Sequence, residues 1–208
     1  MNINLSDEAI EAEANKLREK LGMDYVFNID MDNALSRISR KITRFKVRTA
    51  SLGELDRAEA FMDCQSHTLV LSEEVRAGIA SYENRDKFTA AHEVGHYFLG
   101  HQGNTKRSLD KSIYLTPIQR IQETQADKFA SYFLIPTRLA KGCESAQEIS
   151  DKFRVSLKAA EIAFERIQSV LRQERGERRR PPAAVIDFLK AAEKQGYKVK
   201  SDISGFDD

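Results

Sequence analysis

Apolar residues recur along the chain at two spacings, one helical and one alternating, and their order predicts the elements of an α+β protein. Residues 6–21 carry Ala14, Leu17 and Leu21 at helical spacing, behind Ser6 as an N-cap and acidic residues in the first turn, and Gly22 closes the segment. A shorter helix is expected from Asp32 to about Arg40. From Lys41 to Val47 the pattern turns to period two, with Ile42, Phe45 and Val47 apolar and Arg44, Lys46 and Arg48 polar. Ala58–Asp63 and Thr68–Leu71 read as two more strands around a polar turn at Gln65, Ser66 and His67, and the three together predict a small antiparallel sheet. Two strong helices follow, from Asp86 to about Leu99 before Gly100, and from about Ile118 to Leu134 before Pro136. Between them, Gln102–Pro117 reads as a loop.

Beyond Pro136 the pattern predicts two short helices over 145–171 around a turn at Arg154–Ser156, resembling a helix-turn-helix. The Arg-rich run at 172–180, ahead of Pro181 and Pro182, reads as a hinge, and a last short helix ends near Gly196. The expected division is therefore a domain at 1–140, a helical module with its hinge at 141–180, and a tail at 181–208. Ala184, Ile186, Phe188, Leu189 and Ala192 give the tail helix an apolar face that a helix this short cannot bury by itself. The tail is expected to dock on its own domain or a second copy and to limit access to whatever site that domain holds.

Composition narrows the function classes. The chain has 33 Lys and Arg against 32 Asp and Glu, a formal charge of +1, which argues against a general polyanion binder. The helix after the 154–156 turn offers Lys158 and Arg166 but also Glu161 and Glu165, a poor match to phosphates, so direct nucleic-acid binding is not expected. The basic segment Arg37–Arg48 reads as protection of an exposed edge strand. Cys64 and Cys143, far apart and outside any CxxC pair, fit free thiols in a reducing cytoplasm. The most apolar stretch, Phe129–Ile135, is far short of the roughly 20 residues a membrane helix needs.

The chemistry concentrates in His92-Glu93-Val94-Gly95-His96. Four residues advance about 400° along a helix, so His92 and His96 project from one face a turn apart and can share one cation. Glu93 then lies beside the open position as a proton acceptor for water. A catalytic site needs a third protein ligand. His101 lies nine residues after His92, whereas the third histidine of the metzincin pattern lies ten after the first, and it falls beyond the helix end. Glu123 is favoured instead: it shares a face of the second strong helix with Ala126, Asp127, Ala130 and Leu134, where small residues permit close approach and a carboxylate needs a compensating cation. His101→Ala is accordingly expected to leave zinc occupancy nearly unchanged. Asp127, one turn on, is expected to accept the second ring N–H of His92 or His96.

The stretch Lys87–His96 closely resembles the active-site helix of the ImmA/IrrE family of metallopeptidases, and Glu123–Ala130 followed by Phe133-Leu134-Ile135-Pro136 resembles that family's second motif. The family often has Asn where this chain has Asp127. The resemblance implies a zincin-like peptidase whose small sheet packs on two metal-bearing helices, with a helix-turn-helix-like module after them. It implies zinc held by His92, His96 and Glu123 and catalysis by Glu93 in a cytoplasmic endopeptidase, with Mn²⁺ and Fe²⁺ also compatible with these ligands. It further implies cleavage of an Xre-type repressor in a stress or mobile-element response. Because the chain opens almost directly on the peptidase-like region, that repressor is expected to be a separate protein. Tyr97, Tyr114, Tyr132 and His101 are unranked candidates for oxyanion stabilisation. The alternative is a non-catalytic regulator with a structural or vestigial zinc site that sequesters the repressor. A homodimer stays open.

Overall fold

The computed structural model describes residues 4–55, 58–101, 115–176 and 183–197, together with the backbone of 107–108. Helix α1 (Asp7–Leu21) begins where Ser6 Oγ accepts the Ala9 N–H and ends at Gly22, whose φ of 67° makes the left-handed reversal that glycine allows. Helix α2 (Met31–Lys41) starts at an Asp30 cap. Its last cations serve α1: the Arg37 guanidinium donates to Leu21 O (2.7 Å) and the Lys41 ammonium to Lys20 O (2.6 Å), satisfying carbonyls that a helix end leaves unpaired.

Strand β1 (Lys46–Ala50) begins five residues beyond the expected change to extended structure, because α2 persists to Lys41 and a turn from Ile42 to Phe45 follows. Strands β2 (Ala58–Asp63) and β3 (Thr68–Ser72) form the expected hairpin, with Asp63 Oδ1 accepting the N–H groups of Gln65 and Ser66 and His67 in a left-handed turn conformation. The sheet order is β1-β3-β2-β4, where β4 is Arg107–Ser108. The sheet is mixed, which corrects the expectation of an antiparallel one: β3 pairs antiparallel with β2 but parallel with β1. The tight hairpin fixes β3 against β2, and the chain leaving β1 passes beyond that slot before returning, so β3 enters between them running the same way as β1. At the β1 edge Lys46 and Arg48 are exposed.

After β3, helix α3 (Glu73–Ala80), capped by Ser72, leads to α4 (Asn84–Phe98). Helix α5 (Pro117–Leu134) opens with a reciprocal capping box between Thr116 and Gln119 and with proline at its first position. The short α6 (Thr137–Ala140), then α7 (Ala146–Phe153) and α8 (Leu157–Glu174) complete this part of the chain. Helix α4 packs on β2 and β3 and on α5, while α5 packs also on α1, so α4 lies between the sheet and α5.

Two guanidinium groups, that of Arg18 buried and that of Arg166 half-buried, serve the end of α5. Arg18 donates to Phe133 O and Val26 O, and Arg166 donates to Ile135 O and Ser131 Oγ, each at 2.8 Å. The chain forms two compact units, Met1–Ile167 and Gln168–Asp208. The second contains α9 (Ala183–Lys194), on which Ile186 is buried and Val185 and Phe188 are exposed, and Gly196 follows with a φ of 86°. Most of the expected 102–117 loop, part of the expected hinge and everything after Tyr197 lie outside the described residues. No described helix is long and apolar enough to cross a membrane.

Candidate metal centre

Helical repetition sets His92 and His96 one turn apart on α4, and both are buried. Between them, Gly95 permits the close approach of α5: a Cβ built there would lie 3.1 Å from Phe129 Cβ. On the facing helix Ala126 and Ala130 are wholly buried. This proximity carries Glu123 to the histidines, with Oε2 at 3.2 Å from His92 Nε2 and Oε1 at 3.3 Å from His96 Nε2. The two Nε2 atoms are 3.0 Å apart, and ligand atoms of all three residues lie within 4.8 Å of one another. Among the described residues this is the one such cluster.

The donor set fits a divalent cation. His92 Nδ1 lies 2.8 Å from Asp127 Oδ1, and an ionised carboxylate only accepts, so Nδ1 carries the proton. A neutral His92 therefore turns the lone pair of Nε2 toward Glu123. Two acceptors facing each other repel, and a cation between them converts that repulsion into ligation. Burial alone would raise the Glu123 carboxyl; protons on the facing nitrogens of His92 and His96 would outweigh it and hold the group well below the usual carboxylate range, and a cation in their place supplies the same positive charge. Glu93, beside His92, has no solvent exposure, a placement that is costly for a carboxylate without compensating charge. Lys128 pairs with Asp7 at 2.6 Å, which leaves Asp127 to His92.

His101 lies outside this cluster. Its Nδ1 lies 2.9 Å from His96 Nδ1, on the side of that ring away from Glu123, and its Nε2 lies 3.0 Å from Gln125 Oε1. Burial, with His96 beside it, pushes the His101 imidazole down to about 4. The placement follows from the end of α4. Gly100 takes a φ of 67°, and the His101 N–H donates back to His96 O at 3.0 Å, so the reversal folds the next side chain over His96. Gln125 escaped the sequence reading. A polar residue two positions beyond Glu123 on a helix of small and apolar buried residues was the available signal.

The other oxyanion candidates stand elsewhere. The Tyr97 ring meets Phe45 and His67 edge to face. Tyr132 lies beneath the Arg166 guanidinium, 4.1 Å from ring centroid to Cζ, and burial pushes its phenol up to about 12. Tyr114 is outside the described residues. Cys64 and Cys143 are both free, and burial raises both thiols, away from the reactive thiolate form.

The model of the peptidase M78 family, described as the IrrE N-terminal-like domain, matches residues 40–165, more than half of the chain. No curated protein is significantly similar to the chain. A solved structure described as a Mycobacterium tuberculosis transcriptional regulator is similar at 14% identity with a TM-score of 0.49, over 76% of this chain and 46% of its own. The present chain thus spans a little under half of that protein, and a likeness so slight says nothing of function.

Proposed function

This chain belongs to the peptidase M78 family, that of the IrrE N-terminal-like domain, and from that premise we propose that it is a zinc-dependent endopeptidase of zincin-like build. One observation carries the reading: the Nε2 atoms of His92 and His96 and the carboxylate of Glu123 converge within ligating reach, with the wholly buried Glu93 next to His92 in the chain. Two histidines and a carboxylate are a ligand set of catalytic zinc, which leaves a fourth position open. When bound, zinc makes water acidic and polarises the scissile carbonyl. Glu93 takes the proton of the attacking water and delivers it to the departing amine nitrogen. Asp127, through its bond to His92 Nδ1, keeps that imidazole oriented.

The substrate we propose is a separate Xre-type helix-turn-helix repressor in the cytoplasm, whose cleavage relieves transcriptional repression in a stress or mobile-element response. The resemblance of the two motifs to the ImmA/IrrE metallopeptidases supports this choice. The test pairs metal analysis with cleavage. Glu123→Ala is expected to lower zinc occupancy, whereas Glu93→Gln keeps zinc and abolishes cleavage of the repressor. Cleavage by Glu93→Gln at the wild-type rate would overturn the role given to Glu93. Relief of repression with the repressor left intact would instead identify a non-catalytic protein that sequesters it.

A further inference from the structure

We propose that His101 and Gln125 form a hydrogen-bonded relay that holds His96 with its proton on Nδ1, so that the lone pair of Nε2 faces His92 and Glu123. The inference rests on the reading of that cluster as a metal site. Two facing ring nitrogens 2.9 Å apart need one donor and one acceptor, and which is which cannot be set by that pair alone. The third member decides. Gln125 presents Oε1, an acceptor, to His101 Nε2 at 3.0 Å, so His101 carries its proton on Nε2 and offers Nδ1 as an acceptor. His96 Nδ1–H then donates to His101 Nδ1. With the Gln125 amide reversed, the chain of donors would run the other way and place a proton on His96 Nε2, toward the cluster, where it would exclude a cation.

His101 and Gln125 are both buried, so water does not scramble these roles. The histidines are thus oriented by different means: Asp127 does for His92 what the His101–Gln125 pair does for His96. His101 and Gln125 are positioning residues. They act on the metal through His96 and do not touch it. Replacing His101 is therefore expected to weaken metal binding measurably, which revises the expectation from sequence that its loss is nearly silent.

Nitrogen-15 NMR of the metal-free wild-type protein reads the relay directly. Expected are a protonated His101 Nε2, an unprotonated His101 Nδ1 and a protonated His96 Nδ1. A proton on His101 Nδ1 would overturn the proposal, with no variant needed. Zinc affinity, measured by competition with a chelator, gives the second readout. His101→Phe keeps a ring but no acceptor and is expected to weaken zinc about tenfold, and His101→Asn, whose Oδ1 replaces Nδ1, to recover most of it. Gln125→Leu is expected to mix the two tautomers of His101 in the NMR spectrum. A folded His101→Phe protein with wild-type zinc affinity would sink the relay while leaving the metal site standing. A wild-type protein that takes up no zinc would defeat the metal reading, and the NMR measurement would still judge the relay.

Discussion

Lys87 reaches inward from α4 with 5% of its surface exposed, and its ammonium donates to Asn28 Oδ1 (3.0 Å), Phe153 O (3.1 Å) and Arg154 O (3.2 Å). Those acceptors tie α4 to the loop after α1 and to the turn between α7 and α8, where Arg154 takes a left-handed conformation. The three bonds match the three donors of an ammonium, yet burial still outweighs them and lowers the group to about 8. Between pH 8 and 10.5 the unfolded chain keeps a proton that the folded protein has already released, so the burial penalty falls as pH rises. Relative to Lys87→Met, the wild-type protein is expected to gain up to roughly 3 kcal/mol of stability across that window. Denaturant unfolding of both proteins at pH 7.5 and 10.5 checks this, and a parallel pH dependence would contradict it.

At the scale of elements, the cluster of His92, His96 and Glu123 depends on how closely α4 and α5 approach. Gly95 faces Phe129 so tightly that even a methyl group would need Phe129 to yield by a few tenths of an ångström. A branched side chain asks for more. Gly95→Val is expected to cost about 1–3 kcal/mol through overpacking and to draw Glu123 away from His92 and His96. Zinc affinity should fall while helical content by circular dichroism is retained. An unchanged zinc affinity would mean that the spacing of the two helices is set elsewhere. The C-terminal end of α5 shows the same dependence on neighbours, since the carbonyls of Phe133 and Ile135 are satisfied by Arg18 of α1 and Arg166 of α8.

At the scale of the whole molecule, His92, Glu93, His96, Glu123, Asp127, His101 and Gln125 all belong to the first compact unit, Met1–Ile167. Its interior includes Ile10, Leu35, Leu69, Val94, Phe133 and Phe153, contributed by six different elements. Deleting residues 183–208 is therefore expected to leave zinc uptake unchanged. If the tail limits access to the cleft, the same truncation cleaves the repressor faster than the full chain. Equal rates at equal zinc content would remove the inhibitory role of the tail.

The features legible in the sequence are those that neighbours along the chain determine. The Ser6 cap, the Gly22 stop, the β2–β3 hairpin and the two strong helices follow from side-chain period, cap chemistry and turn residues. So does the shared face of His92 and His96, because helix geometry alone sets an i, i+4 pair. Helix α3 was legible in principle, through Ser72 and the acids behind it, but its eight residues are too few for a clear period. Other features depend on residues far apart in sequence. The parallel pairing of β1 depends on which slot β3 enters, and only the folded sheet decides that. Asp127 and Glu123 lie a turn apart on α5, and which histidine each meets depends on how α5 slides along α4. The inward turn of Lys87, Arg18 and Arg166 and the stacking of His101 between His96 and Gln125 are matters of packing. Local pattern assigns a residue to a face, whereas a hydrogen bond selects one partner within about 3 Å, and that selection requires the assembled core.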